Sequence, residues 1–242
     1  MHGANAALIT DSPATGPVTV ELIVNATAVV CDHAGVLWLP GSGALVVSDL
    51  HLEKGAAFAR RGMLLPPYDT AATLARLAKA IARYNPRLVI SLGDSFHDRT
   101  GSAHLPECYR EQLQSLQQGR DWVWIEGNHD PDRPVGLEGR FCSELHVESL
   151  VFRHEPTSGA ADGEIAGHLH PAARVVRRGK GVRRPCFASD GKRLLMPAFG
   201  STTGGLELRH PAMRGLFNKS ELVAHLIGRE RIYSVAFNRM NG

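Results

Sequence analysis

ALVVSDLH, residues 44–51, sets the reading of the whole chain. A short apolar run rich in β-branched residues ends at a serine, and Asp49 and His51 follow at once. Both are side chains that bind metal ions. The arrangement recurs downstream. LVISLGDSFHD ends a run with Asp94 and then His97, WVWIEGNHD with Asn128 and His129, VFRH with His154, and EIAGHLH with His168 and His170. Placed after strand ends, these ligands gather distant segments at one rim of a sheet. Carboxylate, imidazole and amide oxygen are also the donors that a pair of divalent cations recruits. The order predicts a two-metal hydrolytic centre.

Outward from that stretch, β-rich runs separated by polar or glycine-containing breaks predict strands Val18 to Val24, Thr27 to Cys31, Val36 to Leu39 and Leu45 to Ser48. KGAAFARRGMLLPP reads as a short helix closed by Gly62 and the Pro66-Pro67 pair. In DTAATLARLAKAIARY, Leu74, Leu77, Ala78 and Ile81 recur at helical spacing, with Asp69 as the expected N-cap. Strand Leu88 to Leu92, helix Pro106 to Gln118 and strand Trp122 to Glu126 continue the alternation, which is the α/β placement of a binding site. Beyond Asn128 the runs LHVESLVFRH, GEIAGHLH, AARVVRR, RRPCFAS and KRLLMPAFG are strand-like and imply a second, mostly antiparallel sheet. From Ser220 to Phe237 a short helix and then a strand are expected.

The chain's 242 residues, 43% hydrophobic, suffice to bury a sizeable core as one domain over 18–242 behind a flexible tail, 1–17. A formal charge of +3 excludes a surface that is polycationic throughout. Affinity for polyanions must be local. Cys31, Cys108, Cys142 and Cys186 form no CxxC pair and read as buried thiols in a reducing compartment. The start lacks the pattern of an export signal, and no run of about 18 apolar residues occurs, so a soluble cytoplasmic protein without membrane contact is expected.

The series DLH, GDxxH, GNHD, a lone histidine and GHLH resembles the calcineurin-like metallophosphoesterase superfamily, from about Leu45 to Pro171. The longer strings SDLHLEKG, GDSFHD, EGNHD and GHLHP, with RRPCF and LMPAFG downstream, are similar to the ligase-associated DNA damage response endonucleases of the PdeM type. The resemblance implies an α/β fold, a four-layer αββα sandwich of two mixed sheets with metals at one edge. It also implies association with a DNA ligase, a helicase and an exonuclease of a repair cluster. Matched position by position, Asp49, His51 and His170 complete the first metal's ligands, and Asn128, His154 and His168 the second's.

Phosphodiester hydrolysis needs a strong nucleophile at neutral pH, neutralisation of charge on the phosphoryl oxygens and help for the leaving alkoxide. Two cations about 3.5 to 4 Å apart, bridged by a carboxylate, activate a hydroxide for attack on phosphorus. Asp94 is the candidate bridge. In an extended GHLH segment, i and i+2 share a face, which would turn His168 and His170 to the cluster and Leu169 to the core. The same reasoning covers Asp49 and His51. His129 resembles the superfamily's general acid or phosphate-contacting histidine, with Asp130 holding its ring. His97 departs from the protein-phosphatase pattern and is a second candidate for phosphate contact or leaving-group protonation. An Asp, His and Asn shell accepts Mn, Fe, Zn or Ni, with availability deciding among them, and manganese is the expected metal.

Other histidines have blander readings. His2, His33, His104, His210 and His225 lack partner spacing and read as solvated, His146 stays ambiguous, and Gly204-Gly205 reads as a simple turn. The basic run over 174–184, carrying Arg174, Arg177, Arg178, Lys180, Arg183 and Arg184, reads as a hairpin with Gly179 and Gly181 at its tip. It leaves the metal rim and offers phosphate contacts. The favoured function is a metal-dependent phosphodiesterase, a DNA endonuclease in repair acting on single-stranded or nicked DNA. The alternatives are a small-molecule phosphodiesterase or phosphatase of the same fold, and a non-catalytic nucleic-acid-binding subunit of a repair complex.

Overall fold

A computed structural model describes residues 18–63, 68–177 and 180–240, without the side chains of Arg177 and Lys180. The expected tail over 1–17, His2, Pro66-Pro67, Arg178 and Gly179 lie outside the described residues.

The first sheet contains β1 (Thr19–Val24), β2 (Thr27–Asp32), β3 (Leu37–Leu39), β4 (Ala44–Val47), β5 (Leu88–Leu92), β6 (Asp121–Ile125) and β7 (Arg140–Cys142), adjacent in that order. Its first half is antiparallel and closes through short turns; from β4 to β7 it is parallel. Parallel neighbours need long crossovers. Helices α1 (Lys54–Arg60) and α2 (Asp69–Tyr84) supply the one from β4 to β5, and α3 (Glu107–Gln117) the one from β5 to β6. Both crossovers lie on the same outer face, where Leu74, Leu77, Ile81 and Leu113 bury against Leu45, Val47, Val89, Trp122 and Trp124.

The second sheet contains β8 (Glu144–Val147), β9 (Leu150–Arg153), β10 (Glu164–Ala166), β11 (Pro171–Arg177), β12 (Lys180–Ser189), β13 (Leu194–Leu195), β14 (Leu206–Glu207), β15 (Val223–Ile227) and β16 (Ile232–Ala236). It is mixed. Antiparallel pairs dominate, and β10 runs parallel to both β9 and β13. Val46, Ile90, Leu92 and Ile125 of the first sheet meet Leu150, Phe152, Ile165 and Phe187 of the second in a core with no exposed member. The second sheet's outer face carries its own cluster, Ala166, Cys186, Ala188, Leu195 and Leu226, covered by Leu208, Met213, Leu216 and Met240 from 3-10 turns and loops. Two mixed sheets face to face, with helices on the first, make the α/β metallophosphoesterase-like arrangement.

Several expectations are corrected. Asp69 is not the N-cap of α2 but its first residue; Tyr68 holds the cap position. The Asp69 carboxylate instead accepts from the Gly55 N–H (3.0 Å) in the first turn of α1, while Thr70 Oγ1 accepts from Glu53 N–H (2.8 Å). The start of α2 therefore caps α1, because a seven-residue helix has many unsatisfied N–H groups for its length. Among the described residues no α-helix follows Ser220: β15 and β16 form an antiparallel hairpin, with β15 pairing to β12, before a 3-10 turn at Phe237–Arg239. Pairing of β15 on both sides, to β12 and to β16, buries Ala224, His225 and Leu226 in turn and decides this over local propensity. His225, expected in solvent, is 4% exposed within β15 and hydrogen-bonded to Ser234 Oγ (2.8 Å). Cys31 and Cys186 are buried as expected, but Cys142 is half-buried and Cys108 is exposed on the solvent side of α3. Gly181 pairs with Val176 within the β11–β12 ladder rather than sitting at a tip.

Candidate metal centre

The ligand-bearing loops after β4 and β5 lie side by side and are stitched together. Asp49 N–H donates to Gly93 O (3.2 Å), His51 N–H to Asp94 O (2.9 Å), Leu52 N–H to Ser95 O (2.9 Å), and His97 N–H to Leu52 O (3.0 Å). Two further bonds join the remaining loops to this pair. His129 N–H donates to Asp94 Oδ1 (2.9 Å), and His168 N–H to Asp49 Oδ2 (3.1 Å). Each aspartate thus spends one oxygen on another loop's backbone and leaves the other facing the histidines.

Two clusters result. Asp49, His51 and His170 form one and Asp94, His154 and His168 the other, each with ligand atoms within 4.8 Å of one another. Asn128 joins the second, its Oδ1 2.9 Å from His154 Nε2. Asp94 Oδ2 lies between them, 3.9 Å from His51 Nε2 and 3.4 Å from His154 Nε2. His129 Nε2 is 3.9 Å from the same oxygen. All the residues named for the centre from sequence are brought together at one edge.

The donor chemistry fits cations. His154 Nδ1 donates to the Leu92 carbonyl (3.1 Å), and His170 Nδ1 to the Gly204 carbonyl (3.2 Å). Each bond fixes the ring so that its Nε2 faces the cluster, the usual support of a metal-binding histidine. There His154 Nε2 stands 3.2 Å from His168 Nδ1, and His170 Nε2 stands 3.0 Å from Asp49 Oδ1 without hydrogen-bond geometry to it. Buried lone pairs aimed at one point are costly unless a positive charge sits among them.

Protons take that place when no cation does. Burial lowers the basicity of His154, but its hydrogen bond to Asp94 and the charges of Asp49 and Asp94 outweigh this and raise its pKa to about 9. Burial also works against a charged His170, but the negative charge of Asp49 beside it outweighs this and raises its pKa. Burial works against the charged form of Asp94, yet His154, the His129 N–H and His51 hold it at about 2. His51, where burial dominates, falls to about 4. Metal and proton therefore compete for one set of atoms.

The period-2 geometry expected for GHLH and SDLH is not what the chain uses. Asp49, His51, Asp94, His168 and His170 all have positive φ, between 44° and 62°. The segments are left-handed turns past the strand ends rather than extended strands, and they send His168 and His170 to different clusters. Leu169 is still buried, in the outer core. Asp130 does not hold the His129 ring. It is buried, accepts from Phe96 N–H (3.1 Å), and its pKa rises to about 7, chiefly through burial and next to Asp94.

Close approach explains the glycine that precedes three of the ligands. A Cβ on Gly93 would lie 2.3 Å from His154 Nδ1, and one on Gly167 would lie 2.0 Å from Ser48 Oγ and 2.5 Å from Asp49 Oδ2. The repeated glycine-ligand dipeptides in LGD, EGN and AGH were the available sequence signal for this. Gly204, read as part of a simple turn, orients His170 through its carbonyl. A backbone oxygen leaves no such trace in a sequence.

His97 and His129 stand outside the clusters. Their rings stack at 5.4 Å and 19°, and His97 continues to Phe58 at 5.3 Å. Burial, Lys54, His129 and Arg61 depress His97 to about 4, so its ring is uncharged at neutral pH. In the hairpin Arg174 lies opposite Arg183, which pairs with Glu207 (3.5 Å) and donates to the Gly205 carbonyl.

Fold and site together define a phosphoesterase with two neighbouring candidate cation sites. Residues 44–186 match the Calcineurin-like phosphoesterase family, and the chain belongs to it. It is a hydrolase of that family. Among solved structures, the nuclease MPE of Pseudomonas putida is similar at 30% identity and a TM-score of 0.70, over 90% of this chain and 100% of that one. The phosphoesterase Yfce of E. coli aligns at 16% identity and a TM-score of 0.42, over 81% and 99%. No curated protein matches the chain. Among the described residues, no helix is long and apolar enough to cross a membrane.

Proposed function

We propose that the protein is a metal-dependent phosphodiester hydrolase that cuts DNA as an endonuclease in DNA repair. The observation that carries this is the pair of lone-pair-rich clusters meeting at Asp94 Oδ2, with His129 and His97 beyond them, in a chain 30% identical to a nuclease over 90% of its length.

In this reading Asp49, His51 and His170 would hold one cation, Asn128, His154 and His168 the other, and Asp94 would be shared between them. Divalent ions bound there, with manganese the proposed pair, would supply Lewis acidity toward phosphoryl oxygens and make bound water more acidic at neutral pH. The protein's own part is placement and proton movement. Asp94 is held by the His129 N–H, so one carboxylate oxygen keeps a fixed position between the clusters. His129 Nε2, exposed at the rim, can pass a proton to the departing oxygen. His97, uncharged at neutral pH, acts as a hydrogen-bonding neighbour of the phosphate rather than as the proton source.

The test is cleavage of single-stranded and nicked DNA by the manganese-loaded protein, with a generic aryl phosphodiester alongside. Wild type should cut, and Asp94→Ala should lose at least about 10³-fold in kcat/KM, the scale of losing transition-state electrostatics. No cutting by wild type, or full cutting by Asp94→Ala, rejects the proposal.

A further inference from the structure

The metal edge is electrically lopsided. On the side of the second cluster lies a groove of about 410 Å³ whose lining includes Glu126, Asn128, Glu144, Arg153, His154 and Glu155. Apart from Asn128 and His154, its charged lining is three glutamates and one arginine already paired with Glu144 (2.9 Å), which leaves the path away from the centre acidic and unfavourable to a phosphate chain. The opposite side is built differently. There α1 runs past His97, and the positive charges of Lys54 and Arg61 act on that ring. Arg60 between them is occupied by Asp98 (2.9 Å), but among the described residues neither Lys54 nor Arg61 is ion-paired. Lys54 Nζ donates to the Thr202 carbonyl (3.0 Å), which ties α1 to the loop whose Gly204 orients His170.

On this cationic side the rings of His129, His97 and Phe58 follow one another outward from the centre at 5.4 and 5.3 Å, with interplanar angles of 19° and 31°. A row of flat rings flanked by unpaired cations is how proteins take unpaired bases together with their phosphates. Proton movement and phosphate contact at the centre involve His129 and His97, whereas Phe58, Lys54 and Arg61 lie beyond them along α1.

We propose that a single strand leaves the metal edge over α1, with one unpaired base stacked at Phe58 beside His97 and the adjoining phosphate held by Lys54 and Arg61. This rests on the phosphodiesterase reading and adds the strand's route and the residues that choose single strands. A base locked in a duplex cannot turn its face to Phe58, so the row discriminates against paired DNA. The acidic groove keeps the strand from continuing along the other side.

The experiment measures kcat/KM of the manganese-loaded protein for a single-stranded oligonucleotide, the same sequence as duplex, and a small aryl phosphodiester. The readout is the single-strand to duplex ratio and the single-strand to aryl-ester ratio. Phe58→Ala should lower both about tenfold, within the range for one lost base stack, and Phe58→Trp should restore them. Lys54→Gln combined with Arg61→Gln should flatten the salt dependence of single-strand binding by about 0.7 in log–log slope per cation removed. Unchanged ratios in Phe58→Ala, or ratios that Phe58→Trp fails to restore, overturn the proposal. Hydrolysis of the aryl ester with single and double strands cut alike overturns the route while leaving the phosphodiesterase reading standing. No hydrolysis of any diester removes both.

Discussion

Gly93→Ala tests whether the centre depends on backbone closeness as well as on ligand identity. Gly93 sits at φ +73°, and an added Cβ would lie 2.3, 2.4 and 2.5 Å from Nδ1, Cγ and Cβ of His154. Real Cβ atoms do not approach so closely, so the ring must move and its bond to the Leu92 carbonyl must stretch or break. Gly119 provides the control. Its φ is +74°, and a Cβ there would meet nothing within 4 Å. Both variants carry the backbone cost of a side chain in the left-handed region, about 1 to 2 kcal/mol. Only Gly93→Ala adds overpacking, about 1 to 3 kcal/mol.

At about 2 to 4 °C per kcal/mol for a chain of this size, Gly119→Ala should lose about 2 to 8 °C in Tm and Gly93→Ala about 4 to 20 °C. Calorimetric titration with Mn²⁺ separates them further. Disturbing the bond that orients a ligand typically costs 10- to 100-fold in metal affinity. Gly93→Ala should therefore lose that much in one of two binding steps, and Gly119→Ala in neither. If the two variants melt alike and bind metal alike, His154 is not held as described.

Removing metal should destabilise the protein. At metal concentrations about 100-fold above Kd, binding contributes about 2.7 kcal/mol, so excess chelator should lower Tm by about 5 to 10 °C, and much less in Asp94→Asn. A wild type that melts identically with and without chelator would speak against any cation site. His225 gives a pH prediction away from the centre. Burial lowers its pKa from 6.5 to about 4, so the folded protein favours the neutral ring. Its contribution is present above pH 6.5 and is lost as pH falls toward 4, to the extent of on the order of 3 kcal/mol. His225→Gln should flatten the fall in chemically measured unfolding free energy across that window; an unchanged slope excludes His225 as its source.

Much of the fold could be read from the sequence because its parallel half obeys local rules. Leu88 to Leu92 is a continuous apolar run and is a strand over those same residues; the stripe Leu74, Leu77, Ile81 packs α2 onto the sheet. The C-terminal hairpin was not legible, since VAHLI suits a strand only through its pairing with β12. Asp69 was misplaced for a related reason: its acceptor serves a different helix, across a long-range contact. At the centre, residue types and order brought the right side chains together. Their backbone was misjudged because an i, i+2 pattern is shared by an extended strand and by alternating left-handed turns.

That difference in backbone bears on how the centre works. Holding non-glycine residues at positive φ costs on the order of 1 to 3 kcal/mol each, and Asp49, His51, Asp94, His168 and His170 all carry it. Such strain persists only where surroundings over-determine it. Here those surroundings are bonds between loops: Asp49 N–H to Gly93 O, His51 N–H to Asp94 O, His129 N–H to Asp94 Oδ1 and His168 N–H to Asp49 Oδ2. None of them needs a cation. The lone pairs are therefore set facing one another by the protein fold itself, and the repulsion among them is relieved when positive charge arrives. A flexible set of the same residues would have to be ordered by the metal and would bind it more weakly for that reason. On the proposed reading, the strained turns convert folding stability into a preformed cation site, and Gly93 and Gly167 leave the room those turns need.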